Sequence, residues 1–213
     1  MSSQTSTRGA KVVEVDTRHG PAKAHLEAVP KPAGALVMGH GAASGISSQP
    51  LATVKGVALS EGLSVVLVEQ PYRVAGRRSP APAPRLDEAW KLVIENLRAD
   101  ELRDLPLIVG GQSAGARVAC RTAADTAAVA VLCISFPLRA PGRKPSSKTA
   151  DRRHELDAVK LPTLVVQGDR DPFGMPAGNA TRRVVTVPGN HSLKTDLDAV
   201  ATAVRVWLTD ITR

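Results

Sequence analysis

At 213 residues, 43% of them hydrophobic, the chain is long enough to fill the core of one domain and too apolar to be intrinsically disordered. Its two Trp, one Tyr and two Phe are too few for a base-stacking surface, and without a recognised nucleic-acid motif the formal charge of +8 reads as solubility before nucleic-acid binding. The longest apolar run, 127–134, is too short to span a bilayer, and the start MSSQTSTRGAKVVEV lacks the apolar run of a signal peptide. Cys120 and Cys133 show no metal-ligand spacing and read as small core residues. The expectation is a cytoplasmic, reduced protein with no membrane contact, no metal and no cofactor.

In chain order, residues 1–10 read as a loose tail before one domain over 11–213. Val12–Val15 and Ala24–Val29 read as strands joined by a turn at His19-Gly20-Pro21. An apolar strand over 35–39 runs into a glycine-rich loop, residues 50–60 fit a helix, and Ser64–Val68 reads as a buried strand. A Pro/Arg loop follows over 70–84. Leu86, Trp90, Val93, Ile94 and Leu97 then recur at helical spacing and predict a helix over 85–99. Leu107–Val109 predicts a strand, 114–124 a helix, Val129–Ile134 a strand and 137–150 a basic loop. A short helix over His154–Val159, strands over Thr163–Gln167 and Arg183–Val187, and a closing helix over 194–209 complete the pattern. Apolar strands alternating with amphipathic helices predict an α/β fold. It is a mostly parallel sheet with helices on both faces and N-terminal antiparallel strands, and its functional loops lie at the C-terminal strand ends.

Gly111-Gln112-Ser113-Ala114-Gly115 is a G-x-S-x-G pattern between a predicted strand and helix. Small neighbours permit the sharp turn that lifts a serine hydroxyl above a sheet, which makes Ser113 the candidate nucleophile. A serine hydroxyl needs a base, usually His, itself oriented by a carboxylate. Asp169 and Asp171 follow the strand 163–167, with Asp171 the favoured acid, and His191 follows the strand 183–187 as the candidate base. His19, His25 and His154 read as surface residues, and His40 as a loop-ordering residue. The oxyanion hole is expected from the backbone N–H of Ala114 and of Ala42, with Ala43 the near alternative. A rival reading takes Gly39–Gly45 as a dinucleotide loop with Glu69 as the ribose acid. The spacing is not G-x-G-x-x-G, however, and it leaves the Ser–Asp–His order unexplained.

With those residues in view, the chain resembles the compact, dienelactone-hydrolase-like group of α/β-hydrolases, which includes a testis-expressed protein and the hydrolase-like domain of a chromatin-complex subunit. The resemblance runs from about residue 34 to the C-terminus. It rests on Leu36–Ala42, Gly110–Arg117, Ser135–Leu138, Leu161–Gly174 and Gly189–His191. It implies an α/β-hydrolase fold, supports Asp171 as the acid, and implies little about substrate; the chain is short for that superfamily, and 137–153 leaves room for a loop but not for a helical lid. Ala116 departs from the glycine that similar sequences often carry there. The expected activity is hydrolysis of a small carboxylic ester or thioester through an acyl-enzyme; the other class is an interaction protein with little turnover. Arg73, Arg77, Arg78 and Arg85 in one loop, and Arg139, Arg143, Lys144, Lys148, Arg152 and Arg153 in and after another, leave C-terminal strand ends. Arg73, Arg77 and Arg139 are the candidate rim that would draw an anionic substrate.

Overall fold

The computed structural model describes residues 10–139 and 151–212. Its strands are β1 (Lys11–Val15), β2 (Ala22–Glu27), β3 (Gly34–Gly39), β4 (Leu63–Glu69), β5 (Leu107–Gln112), β6 (Ala130–Ile134), β7 (Thr163–Gly168) and β8 (Arg182–Val187). They form one sheet in the order β1-β2-β4-β3-β5-β6-β7-β8. β1 and β2 run antiparallel to their neighbours, and every pair from β4 to β8 is parallel.

Alternation along each strand sorts side chains onto two layers. Leu36 and Met38 of β3 join a core cluster with α1 (Gln49–Ser60) and α6 (Leu197–Ile211). Ala35 and Val37 face the opposite cluster, built with α3 (Ala83–Ala99), α4 (Ala114–Thr122) and α5 (Arg153–Asp157). The first layer holds Trp207 and the second Trp90, both buried. Cys120 and Cys133 are buried free thiols, their sulfurs 3.5 Å apart. Local chemistry sets the helix starts. The Ser48 side chain accepts from the N–H of Leu51 ahead of α1, and that of Asp196 from the N–H of Ala199 ahead of α6.

An ionic clip fastens α4 to its neighbours. Arg117 and Arg121 both reach the buried carboxylate of Glu155 on α5, and Arg121 also forks onto Asp87 of α3 at 2.6 and 2.7 Å. Burial opposes ionisation of Glu155, but Arg117 and Arg121 outweigh it and hold the carboxyl below its ordinary value.

Several expected boundaries shift. The loop expected over 70–84 contains a helical turn, α2 (Pro71–Val74), and α3 begins at Ala83, where Pro82 and Pro84 preset a helical start. α4 ends at Thr122 rather than 124. The closing helix starts at Leu197 rather than 194, because 189–196 are used in a turn. His19 and His25, expected at the surface, are half-buried and bonded to Glu88 and Glu69. The expected tail over 1–10 and the loop over 137–150 lie largely outside the described residues.

The elbow depends on an absent side chain. A Cβ on Gly115 would overlap the backbone carbonyl of Gly39, and one on Gly111 would sit 2.6 Å from the same oxygen. Neither backbone can retreat without moving β3. Gly115→Ala is therefore expected to destabilise the protein by about 1–3 kcal/mol or more, read as a lower urea midpoint. An unchanged midpoint would show that α4 can slide on β3.

Candidate active site

Ser113 follows β5 and caps α4 with φ 53° and ψ −106°. A non-glycine residue in that region is strained by about 1–3 kcal/mol, and the surrounding structure must impose it. It is imposed by the Ser113 N–H donating to the carbonyl of Ile134 at 2.9 Å, and by the close approach of Gly111 and Gly115 to β3. The Ser113 side chain makes no capping bond, so its hydroxyl is left to the solvent side of the turn. The N–H of Ala114 opens α4 and has no intrahelical partner by position.

β7 and β8 deliver the other two groups. His191 Nε2 lies 2.8 Å from Ser113 Oγ, and His191 Nδ1 lies 2.7 Å from Asp171 Oδ2. The carboxylate can only accept, so Nδ1 carries the proton and bare Nε2 accepts from the serine O–H. The Asp171 side chain is 1% exposed and that of His191 21%. Asp169 is engaged elsewhere, accepting from the N–H of Gly189 at 2.7 Å.

Two residues to which the sequence assigned no role in the site hold this line in place. Gln167, wholly buried at the end of β7, donates through Nε2 to Asp171 Oδ2 at 2.8 Å, and its Oε1 accepts from the N–H of Phe136. The N–H of Phe173 donates to Asp171 Oδ1 at 2.8 Å, and its ring meets the His191 imidazole edge-on with centroids 4.5 Å apart. The one signal for Gln167 in the sequence is a polar residue closing the apolar run Thr163–Val166.

The loop after β3 faces Ser113 and is ordered from behind. The N–H of Gln70 donates to His40 Nε2 at 3.3 Å, so His40 Nδ1 holds the proton and donates to the Gly41 carbonyl at 2.8 Å. That carbonyl belongs to the same peptide plane as the Ala42 N–H, which must point the opposite way. The next peptide is held by the Tyr72 hydroxyl, which donates to the Ala42 carbonyl at 3.3 Å. Burial pushes the Tyr72 phenol up to about 12, so it stays a donor.

Burial also pushes His40 below its ordinary value of 6.5, with the Arg73 guanidinium adding to the effect against the opposing Gly41 bond and Glu69 charge. Below that ordinary value the unfolded chain takes up a proton that folded His40 refuses. Stability from this residue is therefore present at higher pH and lost as pH falls. Between about pH 8 and about pH 5.5 the wild-type urea midpoint is expected to fall further than that of His40→Asn. Equal slopes would remove His40 as the source.

Gly41–Ser44, Gln112, Ser113, Pro172, Phe173 and Asn190–Ser192 line a cavity of about 510 Å³ over this line of groups. Arg73, Arg77 and Arg139 are not among its lining residues. Arg73 lies half-buried against Gly45, behind the loop. Arg77 faces a different cavity. Arg139 is exposed and reaches the site only through its backbone N–H, which donates to the Phe173 carbonyl at 3.1 Å. Arg143, Lys144 and Lys148 lie outside the described residues. Glu69, the ribose acid of the rival reading, is bonded to His25. Among the described residues, no group of three or more His, Cys, Asp or Glu is gathered to hold a metal ion, and no helix is long and apolar enough to cross a membrane.

The sequence matches the model of the alpha/beta hydrolase domain over residues 32–205. No curated protein matches it in sequence. Among solved structures, an α/β serine hydrolase without lid from Xanthomonas campestris is similar at TM-score 0.74 and 19% identity, covering 96% of this chain and 95% of that one. Dienelactone hydrolase from Anabaena variabilis is similar at TM-score 0.74 and 21% identity, with 95% and 97% covered. Est1E from Butyrivibrio proteoclasticus is similar at TM-score 0.76 and 14% identity, with 93% and 98% covered. At these identities the likeness is one of fold.

Proposed function

This chain belongs to the alpha/beta hydrolase domain family, and from that premise we propose that it is a serine hydrolase acting on a small carboxylic ester or thioester. Within the family we read it as a dienelactone-hydrolase-like member. The observation that carries the proposal is the unbroken hydrogen-bonded line Ser113–His191–Asp171, with the serine at the strained turn between β5 and α4.

In this reading the ester carbonyl sits over Ser113 with its oxygen toward the N–H groups of Ala114 and Ala42. Ser113 Oγ attacks the carbonyl carbon while His191 Nε2 takes the hydroxyl proton. The tetrahedral oxyanion is held by the two amides, whose worth lies in being aimed before the charge develops. The leaving alkoxide or thiolate departs with the proton from His191, which leaves an acyl-serine. Water then gives a proton to His191 and its oxygen to the acyl carbon. Collapse returns the proton to Ser113 and frees the acid. Buried Asp171 keeps His191 in the Nδ1–H tautomer and stabilises the transient imidazolium. The cavity walls of Ala42, Ala43, Pro172 and Phe173 suit a short, apolar acyl or alkyl group.

A fluorophosphonate probe tests this directly. Wild type is expected to label covalently at one site, and Ser113→Ala to remain unlabelled. A native protein that does not label, or a variant that labels equally, overturns the proposal and favours an interaction role for the fold.

A further inference from the structure

A second cavity, of about 510 Å³, shares no lining residue with the first, and Tyr72 in its wall bonds the loop after β3. Three segments build it, the first distant in sequence from the other two. The turn between β1 and β2 supplies Arg18 and His19, the segment after β4 supplies Gln70, Tyr72 and Arg77, and the first turn of α3 supplies Arg85. Its volume lies in the range of small-molecule sites.

Its charge is unbalanced. Arg18 Nη1 and His19 Nε2 share the carboxylate of Glu88 at 2.9 and 2.8 Å. Arg77 and Arg85 are exposed and have no carboxylate within ion-pair distance among the described residues. The 17-residue helix α3 also begins here with no acidic residue in its first turn and no side-chain cap, so its positive end adds to the field. Three arginines and a helix start thus line one concavity with no carboxylate among its lining residues, Glu88 engaging Arg18 and His19 from outside that lining. In the same wall, Gln70 is 6% exposed; its Nε2 donates to the Leu86 carbonyl, which leaves Oε1, without a hydrogen-bond partner among the described residues, to accept from a ligand O–H such as a protonated phosphate oxygen.

We propose that this cavity binds a phosphate group. A phosphate presents enough acceptor oxygens to meet several guanidinium forks at once, which a lone carboxylate does not. The site also touches the proposed oxyanion loop. Tyr72 lines this cavity while its hydroxyl holds the Ala42 carbonyl, and the N–H of Gln70 fixes His40. Phosphate binding stands independently of hydrolysis; only an effect on turnover rests on the function proposed above.

Calorimetric titration in a phosphate-free buffer tests it, with inorganic phosphate and glycerol 1-phosphate as the two probes. Saturable binding to the wild type is expected. The Arg77→Ala/Arg85→Ala double variant is expected to bind at least about tenfold more weakly. Arg98→Ala, at the other end of α3, is expected to bind as wild type does. Tighter binding of glycerol 1-phosphate identifies an organic phosphate monoester as the ligand, and tighter binding of inorganic phosphate identifies the free ion. Absence of saturable heat with either probe up to about 10 mM overturns the proposal, as does an equal loss in Arg98→Ala, which would mean only general charge attraction. Fluorophosphonate labelling of the double variant keeps the two proposals apart: labelled protein with lost phosphate binding is folded and fails only at the second cavity.

Discussion

Ser113→Ala is expected to lower kcat/KM for a short p-nitrophenyl ester by about 10⁵- to 10⁶-fold, because the attacking oxygen disappears while the fold stays intact. His191→Ala is expected to cost a similar factor, since Ser113 Oγ then loses its proton acceptor at 2.8 Å. The informative measurement is the double variant. Two residues that act in one proton transfer do not lose their contributions independently, so Ser113→Ala/His191→Ala should be no slower than either single change. The residual rate should exceed the uncatalysed one, because the backbone donors at Ala114 and Ala42 survive both substitutions. A Ser113→Ala enzyme within about tenfold of wild type would mean that another group attacks the substrate.

Asp171→Asn is the second large effect, an expected loss of about 10⁴-fold in kcat. The reason is local. Asp171 Oδ2 accepts from His191 Nδ1 and Gln167 Nε2, and Oδ1 accepts from the Phe173 N–H. All three partners are donors, so an asparagine must turn its amide N–H₂ against at least one of them. Whichever way it flips, it sets donor against donor or invites the imidazole into the wrong tautomer. Asp169→Asn provides the contrast. Its Oδ1 accepts from the Gly189 N–H, a bond the asparagine carbonyl can still take, so the rate should stay within about tenfold of wild type. Reversal of the two effects would exchange the roles of the carboxylates.

The parts of this molecule that follow local rules were legible in its sequence. The strands β3 to β7 are built on short, mostly apolar runs, and α3 carries its buried face at helical spacing, so both could be placed to within a few residues. The elbow was legible because steric demand at Gly111 and Gly115 permits so few residue types. α2 was not, since a four-residue turn in a Pro/Arg-rich segment has no room for a period to emerge. The late start of α6 was hidden because Asp196 serves as the helix cap, although the residue types at 194–196 do not exclude a helix. Least legible were contacts across long stretches of chain. Arg18 meets the Arg77 and Arg85 region only because β2 pairs with β4, and Gln167 serves Asp171 only because β7 ends where the acid turn begins. Arg73, Arg77 and Arg139 were grouped as one rim, but none of the three lines the cavity over Ser113.

The division of the core into two layers leaves one tryptophan in each, Trp90 among α3 and α4 and Trp207 on α6. With a single tyrosine elsewhere in the chain, intrinsic fluorescence divides between two emitters on opposite sides of the sheet. Removing either one by substitution with phenylalanine turns the other into a private reporter of its own layer. The denaturation curves of the two single-tryptophan proteins can then be laid over each other. Coincident curves mean that the helices on both faces leave the sheet together; separated curves identify which face lets go first.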